Sequence, residues 1–143
     1  MPQEIGPPNE TDVDRIAKQA IVASQLVEAL DGCDELDGTE GDLPSLQKLL
    51  DSGQLGRDQT FELQCLGIAF GRVVIRTLSG GFDWAMVEDE YGRDPAIRFG
   101  ETSLLCFPMT MISKRIEDGE PVDILEMHEG LCERLIELSK TAQ

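Results

Sequence analysis

Residues 82–92 read Phe82-Asp83-Trp84-Ala85-Met86-Val87-Glu88-Asp89-Glu90-Tyr91-Gly92 and contain the only Trp and the only Tyr of the chain, together with three consecutive carboxylates. Period-two alternation here and in residues 96–99 predicts two strands, joined by Tyr91-Gly92 as a hairpin loop in which Gly92 accepts a positive φ. In this register Trp84 lies opposite Phe99, and Met86 lies opposite Ile97. The four side chains therefore share one face of the predicted sheet.

The rest of the chain is mainly helical. Apolar residues at helical spacing predict helices at about residues 12–30, 42–53, 58–78, 109–116 and 122–139. Thr11 and Asp58 are the predicted N-caps of the first and third helices. The third helix is apolar on most sides, so we expect it to be the buried central helix, with Phe70 and Val74 packed on the hairpin face. A third strand is predicted over residues 103–107.

These elements predict an α+β fold that combines helices with a small three-stranded antiparallel sheet. A chain of 143 residues fits a single domain with its own core. Residues 1–10 hold three prolines and show no hydrophobic periodicity, so they are predicted to be a flexible leader. The single α+β domain is then predicted to occupy residues 11–143.

The chain is strongly acidic. It has 28 Asp and Glu against 12 Lys and Arg, which gives a net charge of −16 and an isoelectric point near 4.2. The electrostatic field of this negative charge repels nucleic-acid phosphates and anionic lipids. Neither a nucleic acid nor a membrane is therefore predicted as a partner. A basic protein would instead be steered toward the chain. The alternative, that the charge only keeps the protein soluble, stays open.

The cysteines and the most acidic segment predict no metal and no cofactor. Cys33, Cys65, Cys106 and Cys132 lie far apart, with no CxxC pair. The segment from Asp31 to Asp42 holds six carboxylates and three glycines, but none of its registers fits a calcium-binding loop. We therefore expect a flexible, solvated loop there.

The expected compartment follows from the N-terminal segment and the cysteines. The first eight residues lack the basic and apolar regions of a signal peptide. Two disulfides would be expected only in an exported protein. A cytoplasmic protein with reduced cysteines is therefore predicted.

Three motifs carry a family resemblance over about residues 46–129. They are Gln64-x-Leu66-Gly67-x-x-x-Gly71 in the central helix, Trp84-x-x-Val87-x-Asp89-Glu90-Tyr91-Gly92 in the hairpin, and Phe107-Pro108-x-x-x-Ile112-x-Lys114-Arg115 followed by Asp118-Gly119-Glu120. On these motifs the chain resembles a bacterial family of uncharacterised proteins, the domain of unknown function 3806. The resemblance implies the fold of that family and no catalytic residue.

The first functional hypothesis is a non-enzymatic protein-interaction module without catalytic residues. Its predicted binding residues are Trp84, Glu88, Asp89, Glu90, Tyr91 and Arg93. Arg93 is a rare cation here, which either pairs with nearby carboxylates or grips an anionic group. In one form of this hypothesis the partner is a basic effector, which the protein neutralises as an immunity protein does. A homo-oligomer stays open as well.

The alternative hypothesis is a carboxylate-dependent hydrolase that acts through Glu88, Asp89 or Glu90. It requires at least one of these groups to be buried, because burial and a neighbouring like charge suit a carboxyl group to acid-base catalysis. A solvated turn is the competing interpretation, since Glu88 and Glu90 point to one face of a strand and Asp89 to the other.

Overall fold

The computed structural model describes residues 3–30 and 32–143 of the chain. Within these residues five α-helices and four strands follow one another, with one 3₁₀ turn, Pro108–Thr110, before the fourth helix. The elements are β1 (Glu4–Gly6), α1 (Glu10–Glu28), α2 (Asp42–Asp51), α3 (Thr60–Leu78), β2 (Phe82–Asp89), β3 (Gly92–Phe99), β4 (Leu105–Cys106), α4 (Met111–Glu117) and α5 (Ile124–Ser139). The strands form one antiparallel sheet in the order β1-β2-β3-β4, so the α+β prediction is confirmed.

β1 is the strand that the sequence did not predict. Glu4–Gly6 pairs antiparallel with β2, with Ile5 opposite Val87. The prediction of three strands is therefore wrong. The prediction of a flexible leader over residues 1–10 is also wrong for Glu4–Gly6. A three-residue edge strand is too short to show the period-two alternation of apolar and polar residues. Its backbone hydrogen bonds do not depend on residue type, so the sequence does not indicate them. The assignment of residues 11–143 to a single domain stays a prediction.

The β2–β3 hairpin turns one residue earlier than predicted. Asp89 pairs with Gly92, so the loop is Glu90-Tyr91, and the Asp89 carboxylate accepts the Tyr91 N–H at 2.8 Å. Gly92, with φ 136°, follows the loop instead of lying within it. The predicted loop would have placed Tyr91 at a position that favours positive φ, which is strained for a residue with a side chain.

The shifted turn moves every cross-strand partner by two positions, so the predicted face is preserved. Trp84 now lies opposite Ile97. Because side chains alternate with period two, the predicted set of four still shares one face. That face packs on α3 as predicted, since Phe70 and Val74 belong to the same core cluster as Ile97.

The helix ends differ from prediction by about two residues. α1 is capped by Asn9 and not by Thr11: the Asn9 side chain accepts the Asp12 N–H, and the Asp12 carboxylate accepts the Asn9 N–H. α3 begins at Thr60, after Gln59, so Asp58 is not its cap. In the described part of the chain, no helix combines the length and the apolar character that a membrane crossing requires.

Two glycines allow the rest of the core to approach α3 closely. A Cβ atom on Gly67 would lie 2.5 Å from the carbonyl oxygen of Met109, and one on Gly71 would lie 2.6 Å from the Trp84 ring. Both distances are shorter than van der Waals contact, so only glycine permits this packing.

Replacing Gly67 by Ala tests this close approach. Ala favours a helix over Gly by about 1 kcal/mol, but the clash with a backbone carbonyl should reverse the sign and lower the free energy of unfolding by about 2 kcal/mol. Gly130→Ala in α5 is the matched control, because a Cβ atom there meets nothing within 4 Å and should stabilise the helix. Chemical denaturation measures both changes, and stabilisation of the same size in both variants would contradict the packing described here.

Candidate functional site

The six residues predicted to bind a partner occupy separate places along the hairpin. Trp84 is half-buried in the body of β2. Glu90 and Tyr91 form the loop, where Tyr91 is 88% exposed. Glu88 and Arg93 face each other across the ladder, next to the N-terminal part of α1. Asp89 is the last residue of β2, so five of the six residues lie at or next to the loop end of the hairpin, and Trp84 lies apart from them in the strand.

Arg93 is held by a carboxylate that the sequence analysis did not connect to it. Its guanidinium donates to both carboxylate oxygens of Asp12, with Nε–Oδ1 at 3.1 Å and Nη2–Oδ2 at 2.5 Å, and Nη1 lies 4.0 Å from Glu88. The side chain of Asp12 is only 8% exposed, against 35% for Arg93. The hydrogen bond from Arg93 holds the pKa of the Asp12 carboxyl below its ordinary value, although burial opposes this effect. Of the two roles considered for Arg93, it therefore has the first, which is pairing with nearby carboxylates.

A second arginine adds to the junction between α1 and β3. Arg15 donates to the backbone carbonyl of Arg93 at 3.0 Å and lies 3.7 Å from Asp94. The spacing Asn9-x-x-Asp12 was the sequence signal that could have located the start of α1. The pairing of Asp12 with Arg93 spans 81 positions and has no local signal.

The three carboxylates of the hydrolase hypothesis are not buried. Glu88 and Asp89 are half-buried, and Glu90 is exposed. Asp89 accepts a backbone N–H of the loop, and Glu88 faces Arg93 across the ladder. The burial that the hypothesis required is absent from all three, so they do not form a desolvated acid-base pair.

A groove of about 630 Å³ opens between α1 and the part of β2 that carries Trp84. We call it the α1 groove. One wall is α1, which contributes Val13, Ile16, Ala17, Ala20, Ile21 and Ser24. Opposite α1 the lining includes Asp83 and Trp84 of β2 and Arg72 of α3. The groove therefore joins a predicted binding residue, Trp84, to a helix that the sequence analysis had not linked to function.

The acidic segment that precedes α2 adds Glu35 and Leu36 to the lining of the groove. Leu36 is buried, and its N–H donates to Ser24 Oγ at 3.0 Å. The Asp42 carboxylate accepts the N–H groups of residues 37 and 38, at 3.0 and 2.8 Å. The prediction of a flexible, solvated loop is therefore wrong around Leu36, which is anchored to α1. Asp31, the first residue of the predicted loop, lies outside the described residues.

One row of exposed residues on α1 is apolar, although other exposed residues of this helix, such as Asp14 and Lys18, are charged. Val13 is 56% exposed and Ile21 is 55% exposed, and Ala17, between them, is exposed as well. The three residues are spaced four apart and form one row along the helix. We call them the α1 row.

Carboxylates flank the α1 row. Glu35 and Asp83 line the groove itself. Glu10 and Asp14 line a neighbouring hollow, which shares Val13 and Ala17 with the groove. Asp14 pairs with Lys18 at 2.8 Å. Arg72 is the cation of the groove lining; it is half-buried and forms no hydrogen bond or ion pair with the residues that the structure describes. The surroundings of the row are therefore acidic on balance.

The sole histidine lies in the core. His128 is buried, and its Nε2 is 2.9 Å from Thr77 Oγ1 and 3.6 Å from Cys132 Sγ. Burial raises the pKa of the Cys132 thiol to about 11, so this pair does not supply a reactive thiolate. Across residues 3–30 and 32–143, no three His, Cys, Asp or Glu side chains gather in a way that would hold a metal ion.

The described elements define an acidic α+β domain with an open apolar groove. The chain belongs to the family described as Domain of unknown function (DUF3806), which it matches over residues 42–128, more than half of its length. The match runs from α2 into the first turn of α5 and leaves β1 and α1 outside. No curated protein matches the sequence.

A solved structure shares the fold well beyond the family match. It is a crystal structure from Bacteroides thetaiotaomicron VPI-5482 at 1.50 Å resolution, with a TM-score of 0.83 and 19% sequence identity. The similarity covers 94% of this chain and 48% of that chain. This chain therefore spans about half the length of the similar protein, and the likeness concerns the fold.

Removing Arg93 tests whether it keeps Asp12 charged. In Arg93→Met the Asp12 carboxylate stays buried without its cation, so we expect the free energy of unfolding to fall by about 2 kcal/mol at neutral pH. Lys18→Met is the control, because it removes the exposed partner of Asp14 and should cost less than about 0.5 kcal/mol.

The same variant should change the pH dependence of stability. A carboxyl group with a lowered pKa in the folded state stabilises the fold above its ordinary pKa of 3.8, and this contribution is lost as the pH falls through the lowered pKa. Parent and Arg93→Met should therefore differ most above about pH 5 and converge in acid. Denaturation curves across this range are the measurement, and a difference that stays constant at every pH would contradict an ionic role for Arg93.

Proposed function

We propose that this protein is a non-enzymatic interaction module that binds a basic protein through the α1 groove. The observation that carries the proposal is the exposed apolar α1 row, flanked by carboxylates, in a chain of net charge −16. Grouped exposed apolar side chains with a polar rim are typical of protein-binding sites. Carboxylates at the rim disfavour acidic partners and favour basic ones.

Trp84 supports the choice of the groove over the hairpin loop. Tryptophan is enriched among the residues that contribute most to protein–protein affinity. The Trp84 ring packs against Gly71 of α3, so it is held in place before a partner arrives and little entropy is lost on binding. Tyr91, although exposed, belongs to the loop at the end of the hairpin and not to the groove lining.

The setting that we infer is the cytoplasm, with neither nucleic acid nor membrane as a partner. The four cysteines are free, which fits a reducing compartment. The negative charge of the chain repels phosphate groups and anionic lipid surfaces.

The finer form of the proposal is that binding neutralises a basic effector. Electrostatic steering makes the association of oppositely charged proteins fast, which is what an immunity protein requires. Once a basic partner is captured, an equimolar amount of this protein should abolish that partner's own activity. A captured partner that remains fully active would leave the interaction module standing and exclude the immunity-like role.

Capture at two ionic strengths tests the interaction. The immobilised protein is incubated with a lysate of the source organism at about 0.1 M and about 1 M salt, and the retained proteins are identified. We expect a basic protein to be retained at the lower salt concentration and released at the higher one, because exposed charges are screened. An acidic retained protein, or retention that salt does not change, would contradict the proposal.

A pair of charge-matched variants links the capture to the groove. Glu10→Gln combined with Glu35→Gln removes two carboxylates near the α1 row and should weaken retention of the basic protein. Glu129→Gln combined with Glu133→Gln removes the same charge from exposed positions of α5 and should leave retention nearly unchanged. Equal losses in the two double variants would mean that only net charge matters.

A further inference from the structure

The α1 row has the geometry of one side of a helix–helix contact. Val13, Ala17 and Ile21 are four residues apart, so they form a ridge about 12 Å long on α1. Ridges of this spacing pack into the grooves of a second helix. Ala17, small and central, leaves a notch between two larger side chains, into which an apolar side chain of another helix fits.

We propose that the α1 groove receives an amphipathic α-helix of the basic partner, with apolar residues on one face and Lys or Arg beside them. This inference rests on the proposed function and names the binding mode. About two turns of such a helix span the α1 row. Trp84 lines the same groove as the row, so the docked helix would also contact the exposed part of its side chain.

Charge distinguishes this occupant from a second copy of the chain. Each copy carries a net charge of −16, and a copy docked through its own α1 row would bring the Glu10 and Asp14 beside that row to a rim that is already acidic. Like charges brought together oppose that dimer. Lys or Arg side chains would instead meet Glu10 and Glu35, while Arg72 would face a carbonyl or carboxylate group of the docked helix.

The single tryptophan gives the test a local readout. The protein is titrated with a synthetic peptide of about 18 residues, with Leu on one helical face and Lys on the other, while the emission of Trp84 is followed. A peptide with Glu in place of every Lys is the charge control. We expect a saturable change in emission with the Leu/Lys peptide and binding at least about tenfold weaker with the Leu/Glu peptide.

Two matched variants locate the contact on the protein. Ile21→Ser shortens a side chain that is 55% exposed, so the fold should persist while binding of the Leu/Lys peptide weakens by about tenfold. Ile136→Ser is the control, because Ile136 is 50% exposed on α5 and lies outside the α1 groove; binding should not change. A thermal melt followed by circular dichroism confirms that each variant is folded.

Each outcome separates this inference from the proposed function. Equal binding of the two peptides, or an unchanged affinity in Ile21→Ser, overturns helix docking, even where the carboxylate variants still weaken capture of a basic protein. A dimer that sediments at low protein concentration and dissociates in Ile21→Ser identifies a second copy as the occupant and also overturns it. Peptide binding as expected, without capture of any basic protein, supports helix docking and counts against the proposed function.

Discussion

The burial of α3 depends on two positions without a Cβ atom. Ten residues of this helix are buried, and at Gly67 and Gly71 the 3₁₀ turn and the Trp84 ring approach more closely than any other residue type would allow. Each glycine weakens the helix by about 1 kcal/mol relative to Ala, and burial of the surrounding core offsets this loss. The same packing holds the Trp84 ring against α3. The part of Trp84 that α3 does not cover lines the α1 groove. Core packing and groove geometry therefore share one cause.

Helix α1 is fixed on its inner side in a way that leaves its outer side free for contact. Asp12 binds Arg93 of β3, and Ile16, Ala20 and Ala23 are buried against the rest of the protein. A helix attached by both an ion pair and apolar packing does not need to become ordered when a partner arrives. In the proposed complex, less free energy would then be lost on binding, so that even a short row of apolar side chains would contribute to affinity. The exposed row thus belongs to a helix that an ion pair and buried side chains attach to the rest of the fold.

Sequence patterns predicted the features that local physics governs. Alternation identified the hairpin face, and helical periodicity identified the central helix, since both depend on residues close together in the chain. The register of the hairpin depended on the Asp89 side chain, which stabilises a loop one residue earlier than the glycine suggested. β1 and the pairing of Asp12 with Arg93 depend on partners about 80 residues away, for which one sequence contains no signal. The α1 groove escaped prediction for the same reason, because Val13, Leu36 and Trp84 meet only in the fold.

The charge of the chain has a consequence for stability as well as for recognition. A net charge of −16 on 143 residues repels itself, which works against the compact state and weakens with added salt. Any partner that brings cations to these carboxylates relieves part of this repulsion, and a partner that binds only the folded state stabilises it by mass action. In the proposed function, long-range attraction would act on the association of the partner, and apolar contact in the α1 groove would act on its dissociation. In the complex that we propose, the charges would set how fast the partner arrives, and burial of the α1 row and Trp84 would set how slowly it leaves.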